Sequence, residues 1–530
     1  MLFHTWPFLI FLMVVLPVFF ALRKTQLWIP WLTASSYFFY GWWNPYYLFL
    51  VLYSTTLDYF LVTLMDRCPL GGGGRTVDWR SRLTRLQFDD AVLKTAFYVS
   101  AAGTLGCIGL ALVGPVTLRP LSSVFVLIFL LMALGSALSS RGIWLLISIV
   151  NNLLLLLFFK YARFVIENLN GAFGWSLPDP STLMPFGMTY LLPVGISFFT
   201  FQSLSYTIDF YRGQVFRERN FLRFATFVCF FPQLMAGPIE RAKHMLPQFH
   251  QFPPIRLQNF TDGCSLFLVG LFKKLALANY LALFVDPIYG NPKAYDGATL
   301  AMATFAFAWQ IFFDFSGYTD MARGVAKVMG FNLILNFNNP YLATSLGDFW
   351  RRWHISLSSW FRDYVYIPLG GNQGNSSVIY RNLFITFLVS GIWHGASWTF
   401  AVWGALHGLG VMATRELERS AFYRDRVPRL VKQMGVFLFV CFTWVFFRAE
   451  SLVDAQLILQ RIVTTAWLDP QMPGLMLAAV AFVWLYQFLY ESRFRPLLAT
   501  NAVRVGLGVF MMLYLGLFSS GGKAFIYFQF

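Results

Sequence analysis

The chain has 530 residues, of which 57% are hydrophobic, 19% are aromatic and only 12% are charged, and its formal net charge is +16. Soluble domains carry about 25% charged residues, and a soluble globule could not hide so much apolar surface. The composition therefore excludes a soluble protein and predicts an all-α, polytopic transmembrane protein. A β-barrel is disfavoured because the apolar runs are continuous rather than alternating.

The positive charge indicates where the chain meets water and lipid. In a membrane protein, an excess of Lys and Arg is typical of cytoplasmic helix ends and of contact with anionic lipid headgroups. Nucleic-acid binding is not indicated, because the basic residues lie between apolar runs and not on one solvated domain. A basic vestibule on the inner side could also attract an anionic donor such as a coenzyme A thioester.

The cysteines indicate neither a disulfide framework nor a zinc site. They are scattered along the chain without C-x-x-C spacing. We predict no metal and no bound cofactor, and a catalytic thiol has no support from neighbouring residues. The cysteines are Cys68, Cys107, Cys229, Cys264 and Cys441.

The apolar runs predict the membrane spans. The first 24 residues lack a basic n-region and an obvious cleavage site, so they predict a retained span, with Arg23 and Lys24 at its cytoplasmic end. We expect roughly eleven to thirteen helices, counting both those that span the membrane and those that re-enter it. Further spans are expected near 27–43, 46–65, 95–114, 121–139, 142–159, 191–213, 263–286, 299–331, 433–447, 474–490 and 503–518.

Several stretches between these runs predict loops or broken helices. The segment 66–94 contains four consecutive glycines and reads as a flexible insertion. The segments 168–193 and 415–432 are predicted to be loops, the latter because it is highly charged. Prolines interrupt 227–249 and 340–368, so both are predicted to be re-entrant segments of the kind that line cavities. The prolines are Pro232, Pro238, Pro340 and Pro368.

The stretch from Ser345 to Pro368 predicts one amphipathic helix. Ser345 and Asp348 have the S-x-x-D spacing of a helix start. Its apolar stripe is rich in Trp, the opposite face carries Arg351 and Arg352, and His354 lies at the edge of the stripe. Such a helix suits a membrane interface or a cavity floor. An interfacial anchor whose histidine has no chemical role is the competing interpretation.

His394 lies inside a run, 383–414, that contains no Lys, Arg, Asp or Glu. An ionisable group at that depth is costly and is a candidate functional residue. Gly391 and Gly395 flank it and allow a helix break or close backbone approach. The alternative is a neutral histidine that donates to a carbonyl. His407, nearer the end of the run, is interpreted as structural.

Asp314 is a further ionisable residue deep in an apolar run. Tyr318 follows it by one helical turn. The competing interpretation is a structural carboxylate paired with a neighbouring arginine or amide. Lys273 and Lys274, in the preceding span, are expected to reach an interface or a cavity.

The chain resembles the membrane-bound O-acyltransferase (MBOAT) family and, within it, the bacterial alginate O-acetyltransferase branch. The resemblance covers most of 191–408, and the C-terminal FIYFQF also fits. The tetraglycine segment is not part of it. Four motif regions carry the resemblance, namely LPVGISFFTFQSLSYTIDFYRG, FFPQLMAGPIER, the region from DFSGYTDMARGVAKVMGF through LNFNNPYLATSLGDFWRRWHISLSSWFRDYVYIPLGG, and SGIWHGASWTFAVWGALHG.

The resemblance implies one integral-membrane acyltransferase domain over 1–530, an MBOAT-like helical bundle around a central tunnel. N-terminal helices would occupy 1–160, the motif-bearing core 191–408, and C-terminal helices 433–530. A cytoplasmic thioester, acetyl-CoA, would meet an acceptor hydroxyl from the other side. His394 matches the near-invariant family histidine, and His354 matches a second position that is often Asn elsewhere. Candidate substrate or tunnel residues are Asp314, Tyr318, Trp350, Arg351, Arg352 and Trp393.

The chemistry of acyl transfer suits these two histidines independently. A hydroxyl needs a general base at neutral pH, and histidine has a suitable pKa of about 6.5. The thioester carbonyl passes through an oxyanion, which a second donor would stabilise. We assign His394 as base and His354 as donor or substrate positioner, with the reverse assignment left open. No G-x-S-x-G motif supports a serine acyl-enzyme.

The predicted function is O-acetylation of an exported polysaccharide, such as alginate, by a multi-pass protein of the bacterial inner membrane. A periplasmic partner with a serine nucleophile, of the SGNH-hydrolase type, is expected to receive the acetyl group. His354 and His394 are expected to face one cavity. The alternatives are D-alanyl transfer to teichoic acid from a carrier protein, and a polysaccharide or lipid transporter whose histidines relay protons.

Overall fold

The structure is a computed structural model that describes residues 1–69, 90–113, 119–184, 189–235, 237–465, 467 and 473–518. The tetraglycine segment at 71–74 and the FIYFQF ending at 525–530 lie outside the described residues. Within them the regular structure is helical, without a β-strand. The predicted all-α class is therefore confirmed.

The long helices of the first half of the chain lie near the predicted apolar runs, and shorter helices lie between them. They are α1 (Trp6–Ala21), α2 (Trp28–Gly41), α3 (Leu48–Asp66), α4 (Ala91–Val113), α5 (Arg119–Leu138), α6 (Arg141–Leu156), α7 (Ala162–Phe173), α8 (Ile196–Tyr211), α9 (Phe221–Cys229), α10 (Phe231–Leu234), α11 (Ala242–Met245) and α12 (Leu257–Phe272).

The second half contains the longest buried helix and the two histidine-bearing segments. Its helices are α13 (Asn279–Gly290), α14 (Gly297–Val328), α15 (Leu346–Arg352), α16 (Ile355–Phe361), α17 (Ser376–His394), α18 (Trp398–Arg419), α19 (Ala421–Arg426), α20 (Arg429–Arg448), α21 (Leu452–Thr464), α22 (Gly474–Tyr490), α23 (Arg495–Leu498) and α24 (Asn501–Phe518).

Eight helical stretches in the described part of the chain are long and apolar enough to cross a membrane. Three shorter apolar helices accompany them, Phe125–Leu138, Phe221–Leu234 and Gly474–Tyr490. A span of about 20 residues matches the hydrocarbon thickness of a bilayer. The chain is therefore a multi-pass membrane protein, as predicted.

The described residues form two compact units. The first, which we call the site unit, takes in residues 1–14, 237–239 and the described chain from 253 onward, and it holds all the predicted site residues. The second takes in 15–235 and 240–252. The prediction of one acyltransferase domain over 1–530 stays a prediction.

The second unit is held together by polar contacts between its apolar helices. Asp58 of α3 is fully buried and accepts hydrogen bonds from Ser148 Oγ at 2.7 Å and Asn152 Nδ2 at 2.9 Å in α6. Tyr47 donates to the carbonyl of Thr189 at 2.7 Å. Buried polar groups must find such partners in the absence of water, so these bonds fix which helices lie side by side.

The core of the site unit is the antiparallel pair formed by α12 and α14. α14 is buried over most of its length, and glycines allow its backbone to approach α12. An added Cβ at Gly270 would lie 2.5 Å from the carbonyl oxygen of Gly317, and one at Gly263 would lie 2.7 Å from that of Gly324. Small residues permit this close packing in membrane helices.

The predicted interruptions are found in both proline-containing stretches. Residues 227–249 contain the ends and starts of α9, α10 and α11 and a 3₁₀ turn at Leu246–Phe249, so no straight helix passes through them. The prediction of one continuous helix from Ser345 to Pro368 is wrong. α15 ends at Arg352, His354 adopts a left-handed conformation, and α16 begins at Ile355. A π-helix, Arg362–Tyr366, follows.

Two predicted loops are shorter than expected. The charged segment 415–432 is largely helical, because α18 continues to Arg419 and α19 follows it. Helices with a solvated face tolerate charge, so charge alone did not mark a loop. The segment 168–193 becomes irregular only at Gly174, which caps α7 in a left-handed conformation.

Helix α21 was missed because it is amphipathic rather than continuously apolar. The sequence signal that could have found it is the start Ser451-x-x-Asp454, where Ser451 Oγ accepts from the Asp454 backbone N–H at 3.1 Å. The same S-x-x-D pattern correctly predicted the start of α15. There Ser345 Oγ accepts from the Asp348 backbone N–H at 3.2 Å.

Candidate active site

His394 is the last residue of α17, and its imidazole is fixed by that helix. Its Nδ1 lies 2.7 Å from the backbone carbonyl oxygen of Ser390, one turn back. Because a carbonyl oxygen only accepts, Nδ1 carries the proton and Nε2 of the neutral ring holds the lone pair. Gly395 is extended and ends the helix, as the flanking glycines predicted. His394 is therefore presented as a buried base.

Glycines bring α17, which carries His394, into close contact with α18, which carries His407. An added Cβ at Gly391 would lie 2.8 Å from Cα of Gly404, and one at Gly404 would lie 2.5 Å from the carbonyl oxygen of Phe387. This contact places Trp403 of α18 beside His394, with ring centroids 4.8 Å apart. Trp393 and Phe447 also pack against the imidazole, at 5.0 and 5.6 Å.

His354 lies at the break between α15 and α16 and is completely buried. Its φ of 44° and ψ of 54° place it in the left-handed region, which costs a non-glycine residue about 1–3 kcal/mol. Such strain is found at functional sites when the surroundings hold it in place. The Nδ1 atom of His354 lies 3.2 Å from Asn336 Oδ1, and Phe315 packs edge-on at 4.6 Å.

The two histidines belong to one aromatic cluster of the site unit. From His354 the contacts run through Phe337 to Trp353, whose ring lies 5.2 Å from that of Trp444, and Trp444 stacks with Trp403 at 6.0 Å. His354 lies outside the eight candidate spans. Burial, and to a lesser extent the nearby His394, lower the pKa of His354 well below its ordinary value. That the two imidazoles face one cavity stays a prediction.

Both ring nitrogens of His407 lie within hydrogen-bonding distance of neighbouring side chains. Trp350 Nε1–H donates to Nδ1 at 3.3 Å, so Nε2 carries the proton and faces Thr443 Oγ1 at 3.0 Å. Thr443 in turn donates to the carbonyl of Val440. This arrangement agrees with the structural interpretation of His407. It also gives Trp350 a structural contact, although its ring lies 5.7 Å from that of Trp403.

Asp314 forms a buried ion pair, the structural alternative considered for it. Its Oδ1 lies 2.6 Å from Nζ of Lys274, and both side chains are almost fully buried. The partner is a lysine, whereas an arginine or an amide was expected. Lys274, which lies in a π-helix at Lys273–Ala278, meets this carboxylate in the interior and does not reach an exposed interface. Tyr318 lies beside His4, with its hydroxyl 3.2 Å from Nδ1.

The two arginines before His354 have different environments. Arg352 donates to Asp348 Oδ1 at 3.0 Å and to Glu491 Oε1 at 2.6 Å. Arg351 extends outward, and its side chain is 75% exposed. Arg352 therefore anchors α15 to the end of α22, while Arg351 is accessible from solution.

Three residues near the histidines were not singled out from the sequence. Asn336 lies within the LNFNNP part of a resembling motif, but no periodicity marks it. Trp403 and Trp444 looked like ordinary apolar residues. Both indole Nε1–H groups are buried without a hydrogen-bond acceptor among the described residues. A buried donor without a partner costs about 1–3 kcal/mol, so each is a candidate to bind a substrate oxygen.

The site lies in the region that matches known proteins. The family model for the membrane-bound O-acyltransferase family, MBOAT, matches residues 213–500. The Pseudomonas aeruginosa protein named "Probable alginate O-acetylase AlgI" is 45% identical over 315 residues, which are 58% of this chain and 58% of that protein. The Helicobacter pylori "Peptidoglycan O-acetyltransferase" is 37% identical over 352 residues, 61% of this chain and 65% of that protein.

A more distant similarity involves another acyl group. The Bacillus subtilis "Teichoic acid D-alanyltransferase" is 27% identical over 280 residues, covering 48% of this chain and 69% of that protein. The chain thus spans about six tenths of the length of the alginate and peptidoglycan relatives that it matches.

Proposed function

Because this chain belongs to the membrane-bound O-acyltransferase family, we propose that it transfers an acetyl group from a thioester to a hydroxyl. The donor is acetyl-CoA in the cytoplasm, and the product serves O-acetylation of an exported polysaccharide, such as alginate. The observation that carries the proposal is His394, whose Nδ1–H is held by the Ser390 carbonyl so that Nε2 is the basic atom. The names of the two most similar relatives described above support the choice of acetyl.

In the proposed reaction His394 acts as general base. Its Nε2 takes the proton from the acceptor hydroxyl while the hydroxyl oxygen attacks the thioester carbonyl carbon. The resulting oxyanion collapses, the carbon–sulfur bond breaks, and the thiolate takes the proton back from the imidazolium. The products are an ester and a free thiol, so protons and electrons balance without a cofactor.

The surroundings of His394 favour the charged imidazolium that forms during this step. The ring lies at the C-terminus of α17, a helix of 19 residues, where the helix dipole stabilises a cation. The rings of Trp403 and Phe447, with centroids 4.8 and 5.6 Å from that of the imidazole, are close enough to add cation–π attraction. Both effects act only once the proton has moved, and such differential stabilisation lowers the barrier.

The oxyanion needs a donor, and we assign that role to the Nε1–H of Trp403. It is buried beside the base and has no acceptor among the described residues. An indole nitrogen can only donate. His354 suits this role less well, since Nδ1 is its protonated atom in the geometry observed and its neutral Nε2 would accept. We therefore assign His354 as the residue that positions the acceptor hydroxyl.

We also propose a hand-over to a separate exported protein at the outer face of a bacterial inner membrane. The motif-bearing core consists largely of apolar helices, which suit passage of an acyl group rather than binding of a long polymer. A partner acetyltransferase with a serine nucleophile, of the SGNH-hydrolase type, would receive the acetyl group and modify the polysaccharide.

The test uses the full chain purified in detergent or nanodiscs with radiolabelled acetyl-CoA and a soluble hydroxyl acceptor. Transfer of label to the acceptor is expected, and His394→Ala should reduce it by at least about 100-fold, the low end of the contribution of a general base. His250→Ala changes a half-exposed histidine and serves as the matched control with unchanged activity. A protein that binds acetyl-CoA but transfers no label would contradict the proposal.

The alternative functions give different results in the same experiment. A D-alanyltransferase would use a D-alanyl carrier protein and leave acetyl-CoA unconsumed. A transporter would move polysaccharide or lipid across vesicles without forming an ester. The hand-over is tested by adding the partner, because acetylation of the polymer should require it. Full-rate polymer acetylation by the purified chain alone would overturn the hand-over but leave the acyl-transfer proposal intact.

A further inference from the structure

Asn336 lies in the irregular segment between α14 and α15 and is almost completely buried. Its side-chain oxygen, Oδ1, accepts from the backbone N–H of Ser356 at 3.1 Å and from the Ser356 hydroxyl at 2.9 Å. The same oxygen lies 3.2 Å from Nδ1 of His354. One amide oxygen thus meets three polar groups at the break that carries His354.

The contact with Ser356 settles the protonation of the imidazole. A backbone N–H can only donate, so the Asn336 atom that faces it must be the carbonyl oxygen and not the amide nitrogen. An oxygen that accepts from Ser356 also accepts from His354. The proton therefore lies on Nδ1 of His354, and Nε2 holds the lone pair.

We propose that Asn336 is a positioning residue for acyl transfer, which holds His354 in the Nδ1–H tautomer so that Nε2 accepts a hydrogen bond from a donor group of the acceptor next to the reacting hydroxyl. The inference rests on the proposed function and deepens it. It assigns the acceptor side of the reaction to a three-residue unit, Asn336–His354–Ser356. In this arrangement His354 orients the acceptor through that neighbouring group, and His394 removes the proton of the reacting hydroxyl.

The backbone of Asn336 supports the same geometry. Its carbonyl oxygen accepts from the Ile355 backbone N–H at 2.9 Å, and the backbone N–H of Asn338 donates to the carbonyl of Arg352 at 2.9 Å. These two bonds flank His354 and hold its left-handed conformation. The side chain of Asn336 therefore fixes the tautomer of His354, and the backbone of the segment fixes the position of its ring.

Aromatic rings and a second histidine are among the groups around His354. The rings of Phe315 and Phe337 pack against it and carry no charge. His394 is a titratable group near enough to lower its pKa. Asp314, next to Phe315 in the chain, lies against Lys274. A carboxylate introduced at position 336 would therefore be a strong new influence.

The decisive variant is Asn336→Asp, which keeps the acceptor oxygen and adds a negative charge. The charge favours the imidazolium, so neutral His354 is lost at higher pH than in the wild type. We expect the pH at which His354 gains its second proton, followed by NMR of its labelled ring nitrogens, to rise by about one pH unit or more. Asn332→Asp makes the same change at an exposed position of the same segment, and the titration of His354 in that variant should match the wild type.

A second variant measures the loss of the acceptor itself. Asn336→Ser is smaller and uncharged, and kcat should fall by about 10- to 100-fold, the usual effect of removing a partner that orients a functional histidine. The KM for acetyl-CoA should stay unchanged, because the donor does not depend on His354. Thermal unfolding in detergent shows which variants fold. If Asn336→Asp does not fold, the test rests on Asn336→Ser.

The outcomes separate this inference from the proposed function. If the wild type transfers no acetyl group, the proposed function fails. If the wild type is active and His394→Ala is not, the function stands. A His354 titration in Asn336→Asp equal to that of the wild type, or an Asn336→Ser kcat equal to that of the wild type, then overturns the role of Asn336 alone.

Discussion

The ammonium group of Lys274 lies 2.6 Å from Oδ1 of Asp314, inside the helix pair that forms the core of the site unit. A π-helical turn at Lys273–Ala278 supplies the extra residue that points Lys274 toward α14. Such turns are rare within α-helices and are found frequently at functional sites. The pair explains how two charges can be buried in an otherwise apolar span.

Breaking this pair should be strongly destabilising. We expect Lys274→Met or Asp314→Leu alone to lower the free energy of unfolding by about 3–5 kcal/mol, because each leaves an unpaired buried charge. The double variant should recover most of the loss. Lys273→Met, which removes a more exposed partner of Asp320, is the control, with a cost of about 0–1 kcal/mol. Denaturant titration in detergent measures all four, and additive single effects would contradict the prediction.

The contact between α17 and α18 should be sensitive to one methyl group. Gly391→Ala would place Cβ against the backbone of Gly404, at an overpacking cost of about 1–3 kcal/mol. His394 is three residues away, and a shift of about 1 Å can reduce kcat by about 100-fold. Gly435→Ala, in α20, has no atom within 4 Å of the added Cβ. It should leave activity unchanged, and equal activity of the two variants would argue against this contact.

Removing one indole N–H should separate the donor role of Trp403 from its packing role. Trp403→Phe keeps a ring beside His394, and we expect kcat to fall by about 100-fold, as for loss of one oxyanion donor. Trp309→Phe removes another buried indole N–H without an acceptor among the described residues, but Trp309 packs on Phe313 and Tyr341. Steady-state kinetics should show a specific effect at Trp403. Similar losses in both variants would indicate packing alone.

The left-handed conformation of His354 predicts which replacement is tolerated. Asn adopts that conformation more readily than other non-glycine residues, and its carboxamide can still meet a hydroxyl. We therefore expect His354→Asn to fold like the wild type and to retain more activity than His354→Ala. Thermal unfolding and acetyl transfer measure the two properties. If His354→Ala is as active as His354→Asn, a polar side chain at this position has no role in the reaction.

The pairing of His244 with buried Glu240 predicts a pH dependence of stability. Their side chains meet at 2.7 Å, and this hydrogen bond raises the pKa of His244, with burial opposing it. Because the folded pKa lies above the unfolded value of about 6.5, the contribution is fully present below about pH 6.5 and is lost as pH rises through the folded pKa.

This dependence should vanish in His244→Ala. The midpoint of thermal unfolding of the wild type should exceed that of the variant at about pH 6, and the two should converge at about pH 9. Lys243→Ala alters the neighbouring exposed residue of α11 and should follow the wild-type pH dependence. A constant difference between the wild type and His244→Ala at both pH values would show that His244 acts through packing.

The sequence was most informative where one stretch of chain specifies its own structure. Apolar run length predicted the spans, because crossing a bilayer requires about 20 apolar residues. The Ser345 and Asp348 spacing correctly predicted the start of α15, since a cap involves only neighbouring residues. The glycines beside His394 predicted the helix end, and the motifs within 191–408 indicated the family that the comparison then showed.

Helical periodicity alone gave a wrong prediction for the stretch around His354. An amphipathic stripe continued through the whole segment, yet the helix breaks there because Asn336, more distant in sequence, binds both His354 and Ser356. Helical periodicity assigns residues to faces, but it contains no information about a partner from another segment that competes for the same groups.

By itself the sequence determined the membrane class, the approximate bounds of the long apolar helices and the two histidines worth examining. Only the tertiary structure decided how each ionisable group is used. It gave His407 two partners, paired Asp314 with Lys274, and placed the protons of His354 and His394 on Nδ1. The physical reason is that protonation and pairing in a low-dielectric interior depend on the nearest polar atom in space, and for Asp314, His354 and His407 that atom belongs to a distant part of the chain.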